Sequence, residues 1–181
     1  GRILPMRSSS TLLPGGPMGA GKTTVGKRLA EVRGMDFSDS DHEVERRTGV
    51  DIAYIFEKEG ESGFRKREKQ VIADLTGGSR LVLATGGGAM MDVRTRDLIH
   101  IKGISIWLKA DLDVLSKRTK RRGDRPLVDK MKELLPPREP IYALSDIVIQ
   151  SRDEPHDVIV DEIVAALPKH LNAGTSESTQ S

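Results

Sequence analysis

Apolar positions along the chain follow two rhythms. Short runs of β-branched or bulky residues, LVLAT at 81–85, ISIWL at 104–108 and IVIQ at 147–150, read as buried strands. Between them lie longer stretches with helical spacing. TTVGKRLAEVRG predicts a helix with Val25, Leu29 and Val32 on one side and Gly34 as its stop. FRKREKQVIADLTGG predicts another, charged in its first half and ended by Gly77 and Gly78. ADLDVLSKRTKRR and PHDVIVDEIVAAL complete the set, with Pro155 at the entry of the last. Strands alternating with helices indicate an α/β domain on a parallel sheet. No internal repeat or long linker divides it.

Composition narrows the function classes. At 181 residues and 36% hydrophobic content the chain is one domain with one ordinary core. Its 29 basic and 27 acidic side chains leave a net charge of only +2, so no global field marks a nucleic-acid or membrane binder. Aromatic residues are 3% of the chain, too few to stack bases along the basic run KRTKRRGDR. There is no cysteine, which excludes disulfides and thiolate chemistry and fits a reducing compartment. No apolar run reaches the roughly 18 residues of a membrane span. GRILPMRSSS lacks the apolar core of a secretory signal, so residues 1–11 read as a flexible lead-in to a cytoplasmic protein. The polar ending NAGTSESTQS sets a disordered tail at 171–181 and leaves 12–170 as the domain. With no surface stripe that demands a partner, a monomer is expected.

The first candidate chemistry is GPMGAGKTT, Gly16 to Thr24. Gly16, Gly21, Lys22 and Thr23 fit the pattern G-x-x-x-x-G-K-[ST]. The glycines let backbone N–H groups turn toward phosphate oxygens, and the following helix adds its positive end. Lys22 then reaches the outer phosphates and the Thr23 hydroxyl ligates Mg2+. The loop indicates a nucleotide without naming an acceptor.

Three clusters downstream bear on the acceptor, each with a plainer alternative. Asp39 and Asp41, in FSDSDHEVERRTG, are two apart at the end of a strand beginning near Met35, so both carboxylates can face one cavity. One can serve hydrated Mg2+ and the other the acceptor hydroxyl. They read equally as an acidic turn capping the next helix. Arg65 and Glu68 are three apart on a helix, so they can pair and present a fixed guanidinium fork, or form only an exposed ion pair. In ATGGGAMM, Gly86, Gly87 and Gly88 bring bare backbone to the carboxyl edge of the sheet, or make a simple turn; Met90 and Met91 read as packing residues. The four histidines, His42, His100, His156 and His170, show no metal-ligand spacing.

Taken in order, GPMGAGKTT, DSD, GFRKRE, ATGGGA, RRGDRPL and REPIY resemble the shikimate kinase family over roughly residues 12–168. The resemblance implies a three-layer P-loop kinase with a five-stranded parallel sheet flanked by helices, and a mobile lid. It implies transfer of the γ-phosphoryl of ATP to the 3-hydroxyl of shikimate, with Mg2+ as cofactor, in chorismate and aromatic amino acid biosynthesis. By that resemblance Asp41 is the base and holds the acceptor hydroxyls, and Lys22 and Arg125 complete the catalytic set. ATP falls to Gly16, Met18, Gly19, Ala20, Gly21, Lys22, Thr23, Thr24, Arg118, Arg125 and Pro155, with Arg118 against the adenine. Thr23 and Asp39 serve the metal, Asp39 through water. Arg65 and Arg138 clamp the shikimate carboxylate, and Gly86, Gly87 and Gly88 wall the ring. Two other readings stay open: a related kinase with a gluconate-like acceptor, and a nucleotide-binding relative that no longer turns over.

The chain departs from the family pattern in three places. STLLPGG puts Pro14 and Gly15 where bulky strand residues are expected, which predicts a weak or short central strand. Ser38 replaces an apolar residue before Asp39. LVDKMKELLPP is compact, and Pro136 and Pro137 predict an interrupted helix and a displaced Arg138.

Overall fold

The computed structural model describes residues 11–16, 21–76, 80–120, 125–151 and 154–179, the side chains of 116, 118–120, 125–131 and 171–179 excepted. Five strands, β1 (Thr11–Gly15), β2 (Asp36–Asp39), β3 (Leu81–Ala84), β4 (Ile104–Ala110) and β5 (Ile147–Ser151), form one sheet in the order β2-β3-β1-β4-β5. Every neighbouring pair is parallel. The helices are α1 (Lys22–Arg33), α2 (Ser40–Thr48), α3 (Ile52–Leu75), α4 (Val93–Lys102), α5 (Leu112–Lys120), α6 (Arg125–Tyr142) and α7 (His156–Thr179). A 3-10 turn spans Ala89–Met91. Among the described residues no helix is long and apolar enough to cross a membrane.

Strand periodicity places the core on both faces of the sheet. Leu12, Ile106 and Leu108 point to the side covered by α1 and α7, where Val25, Leu29, Ile159, Val160 and Ile163 meet them. Leu13 and Trp107, one residue out of phase, point to the other side and pack with Ile72 of α3, Ile99 of α4 and Tyr142 of α6. A smaller cluster of Val44, Ile55, Phe64 and Val71 ties α2 to α3.

Pro14 shortens one ladder and leaves the other intact. β1 stays in register with β4 from Leu12↔Ile104 to Gly15↔Trp107, but with β3 only at Thr11↔Leu81 and Leu12↔Val82. The Pro14 carbonyl accepts from Thr85 N–H at 3.1 Å, so the edge of Pro14 that lacks an N–H faces β3. The central strand is therefore present over five residues, and its weakness is confined to the β3 side. Ser38 lies half-buried on β2, an edge strand whose four residues all stay in register with β3.

Helix α1 ends as expected, with Gly34 at φ 63° and its N–H reaching the carbonyls of Ala30 and Glu31. Its buried stripe is Val25, Gly26, Leu29 and Ala30, and Val32 is 50% exposed. The reason is Gly26: a methyl there would come 2.7 Å from Phe37 Cε1 and 3.5 Å from Pro14 Cγ. That close approach turns the stripe away from Val32. Helix α3 begins at Ile52, well before the predicted start, and bends where Gly60 adopts φ 74°. It ends at Leu75; Gly77 and Gly78 lie outside the described residues.

The prolines of α6 do not displace Arg138. The helix runs unbroken through Pro136, Pro137 and Pro140. All three are exposed, so the turns left open by their missing N–H groups face water. Arg138 consequently stays one turn before Tyr142, on the face of α6 that meets the sheet edge.

Candidate active site

The site lies at the carboxyl ends of the strands, where β1, β2 and β3 hand over to their loops. Gly21, at φ 86°, turns the chain into α1 and sets Lys22 as the first helical residue. Lys22 Nζ donates to the Gly16 carbonyl at 3.2 Å, closing the loop on itself. Thr23 follows in the first turn and its hydroxyl donates to Asp39 Oδ2 at 3.3 Å. Thr24 is exposed beside it. Met18, Gly19 and Ala20 lie outside the described residues, as do the side chains of Arg118 and Arg125.

Asp39 and Asp41 reach one cleft by a different route from the one their spacing suggests. The strand ends at Asp39, whose Oδ1 accepts from the N–H groups of Asp41 at 2.9 Å and His42 at 3.3 Å and so caps α2. Asp41 therefore stands in the first turn of a helix. The cap and the shared cleft coexist, because each Asp39 oxygen has its own partner. The cleft, about 620 Å³, is lined by Lys22, Thr23, Phe37, Asp39, Asp41 and Glu45 among others.

Each glycine of the 86–88 run is pressed against a different side chain. A methyl on Gly86 would lie 2.9 Å from Asp41 Oδ1 and 3.0 Å from Glu68 Oε2. One on Gly87 would lie 3.3 Å from Arg138 Nη1, 3.4 Å from the Gly16 carbonyl and 3.6 Å from Tyr142 Oη. One on Gly88 would overlap the Arg65 guanidinium, 2.6 Å from Cζ. The run is thus the meeting point of the phosphate loop, α2, α3 and α6.

Arg65 is held from its own helix. Its Nη1 donates to Glu68 Oε1 at 2.8 Å, and Glu61 flanks the other nitrogen at 3.5 Å. Glu68 is 1% exposed, so this is no surface pair. Pro155 is exposed at the entry of α7, where its carbonyl accepts from Val158. The nearby Asp157 pairs with Arg28 at 2.9 Å and so sets that entry beside α1.

Burial controls the charges. It lowers the Lys22 ammonium below its usual range, opposed by Asp41, Asp39 and Glu68. It raises Asp41, with Lys22 and Arg65 pulling the other way. It raises Glu68 to about 7, against the attraction and hydrogen bond of Arg65. Asp41 Oδ1 and Glu68 Oε2 are both buried with no hydrogen-bond partner among the described residues.

A stability prediction follows from Glu68. Its folded pKa lies above its ordinary 4.5, so the folded state binds more protons between about pH 4.5 and 7. Its contribution to stability falls as pH rises through that window. The unfolding free energy of the wild type minus that of Glu68→Gln should decline from pH 4.5 to 7 in urea titrations; a flat difference would count against the burial.

The shikimate kinase family model matches residues 18–168. The chain belongs to the shikimate kinase family. Membership makes it an ATP-dependent kinase with an alcohol acceptor. It is 50% identical to a shikimate kinase of Rhodopseudomonas palustris, covering 87% of this chain and 81% of that one. It is 46% identical to one of Bradyrhizobium diazoefficiens over 93% of this chain and 84% of that. Among solved structures it is similar to a shikimate kinase from Acinetobacter baumannii in complex with shikimate, with TM-score 0.82, 39% identity and coverage of 90% and 95% of the two chains.

Within this family site, the sequence reading passed over Tyr142. The residue is 2% exposed, and its hydroxyl donates to the Gly87 carbonyl. The available signal was its spacing in REPIY, one helical turn after Arg138.

Proposed function

We propose that this kinase transfers the γ-phosphoryl of ATP to the 3-hydroxyl of shikimate. The observation that carries the reading is Asp41, which lines the cleft with Lys22 and Thr23 while its Oδ1, without a hydrogen-bond partner among the described residues, lies buried against Gly86 under the charges of Lys22 and Arg65. An acceptor hydroxyl in the cleft meets this carboxylate and gives up its proton to it. Arg65, steadied by Glu68, and Arg138, against Gly87, take the acceptor carboxylate. The glycine run lets the ring approach the backbone closely. Two guanidinium groups and one carboxylate fix the ring, so a single hydroxyl faces the phosphoryl group.

Gly16, Gly21, Lys22, Thr23 and Thr24, with Met18, Gly19 and Ala20, are assigned to the triphosphate, Arg118 and Pro155 to the adenine end, and Arg125 to a lid over the phosphates. Mg2+ fits Thr23 and Asp39, since a hydroxyl and a carboxylate oxygen 3.3 Å apart suit a hard cation that keeps most of its water. Among the described residues no group of three or more His, Cys, Asp or Glu gathers into a metal site, which agrees with a cation held mainly by the nucleotide. When bound, Mg2+ offsets the charge of the transferring phosphoryl group. The domain is assigned to 12–170, a monomer in the cytoplasm serving aromatic amino acid synthesis. Support for the monomer is that exposed apolar residues such as Val32, Tyr54, Val93 and Ile101 are scattered over three helices. The lack of cysteine supports the compartment.

ADP release measured with and without shikimate tests the reading; equal rates, or faster release with gluconate, would overturn it. Two variants test the acceptor end. Arg65→Ala should raise KM for shikimate by about 10- to 100-fold, as loss of a charged hydrogen-bond donor does, with KM for ATP little changed. Gly88→Ala should raise the same KM about tenfold, because its methyl displaces the Arg65 guanidinium. The backbone tolerates the change, since Gly88 sits at φ −96°.

A further inference from the structure

The two arginines at the acceptor end are held by different chemistry. Arg65 leans on a carboxylate, Glu68, at 2.8 Å. Arg138 instead has a phenol oxygen for a neighbour: its Nη1 and the Tyr142 Oη both lie against Gly87. A carboxylate partner offsets part of a guanidinium's charge, and a neutral oxygen orients it without doing so.

Tyr142 is tied down on every side. Its hydroxyl donates to the Gly87 carbonyl, and the Arg138 guanidinium lies against the same glycine. Burial raises its pKa above the ordinary 10, so the proton stays in place at working pH. The ring packs on Trp107 of β4 with centroids 5.5 Å apart. Gly87 in turn lies against the Gly16 carbonyl, the same oxygen that accepts from Lys22 Nζ. One hydroxyl therefore links an arginine of α6 to the glycine wall, and the wall to the first glycine of the phosphate loop.

We propose that Tyr142 is a positioning residue of this site. Its hydroxyl sets the Arg138 guanidinium at a fixed place relative to Gly87, so the acceptor carboxylate is bound at the distance from the phosphate loop that transfer requires. Tyr142 acts through Arg138 and Gly87 and does not touch the reacting atoms. The inference rests on shikimate as the acceptor, because only an acceptor with an anionic group needs Arg138 placed in this way.

Tyr142→Phe keeps the ring on Trp107 and removes only the hydroxyl. It removes the tie to the half-buried Gly87 carbonyl and leaves Arg138 free to swing, a loss of the size that raises KM by about 10- to 50-fold. The expected result is that rise in KM for shikimate, KM for ATP within about twofold, and a thermal midpoint close to the wild type. The discriminating measurement is a double-mutant cycle. In an Arg138→Ala background, Tyr142→Phe should change KM for shikimate by less than about twofold, because the group it positions is gone. The same penalty in both backgrounds, or an unchanged KM in the single variant, would overturn the inference and leave the acceptor assignment standing. A wild-type enzyme with no shikimate-dependent ADP release would remove the acceptor assignment and this inference together.

Discussion

Lys22→Ala is expected to lower kcat by about a thousandfold or more at saturating ATP and acceptor, comparable to loss of a principal charge-stabilising group in phosphoryl transfer. The position explains the size. Lys22 is the first residue of α1, placed by the turn at Gly21, and its ammonium sits 3.2 Å from the Gly16 carbonyl at the mouth of the loop. It is the cation that Asp41, Asp39 and Glu68 all face. Without it, three carboxyl groups share a part-buried cleft with one fewer counter-charge, so Asp41 becomes harder to ionise as well. Both effects act on turnover. Stopped-time assays of ADP formation should show the loss, and retention of more than about a tenth of wild-type kcat would contradict the role.

Asp41→Asn should lower kcat by about 100- to 10,000-fold, the range for removal of a general base. The amide keeps the shape and the helix position and cannot take a proton. Wild-type activity should also fall as pH drops, because burial holds the Asp41 pKa above its ordinary 3.8 and the protonated acid is inactive as a base. The residual activity of the amide variant should lack that acid limb. If the limb persists in Asp41→Asn, another group controls it and the assignment of the base fails. The pairing with the Lys22 experiment is useful: one variant removes the charge on the donor side of the cleft, the other the proton acceptor on the far side.

Much of the architecture could be read from local patterns, and the exceptions have physical causes. LVLAT and ISIWL were recognisable because parallel strands covered on both faces are continuously apolar, and IVIQ because β-branched residues mark even an edge strand that leaves Val148 exposed. The stop at Gly34 was recognisable because only a residue tolerant of left-handed backbone fits there. Val32 was misplaced because the orientation of α1 depends on how closely Gly26 lets it approach Phe37. The early start of α3 was missed because Gly60 breaks its periodicity. The consequence of Pro14 depended on which neighbour its carbonyl faces, and the fate of Arg138 on which side of α6 the prolines occupy. Neither is visible in the order of residues.

The site divides in the same way. Features set within a few residues were available at once: the glycine-to-lysine turn, the Arg65–Glu68 spacing, the cap before α2. Their surroundings were not. Glu68 is buried and raised to about 7 because α3 packs under the glycine run, and no rule of spacing carries that information. Asp41 meets Gly86, Arg65 meets Gly88, and Arg138 meets Gly87 and Tyr142 only after strands and helices far apart in the chain are stacked. Backbone conformation and neighbouring side chains interact over a turn or two, which is why motif chemistry survives as text. Desolvation and contact between distant segments are properties of the assembled core, and there alone did the cleft acquire its charges.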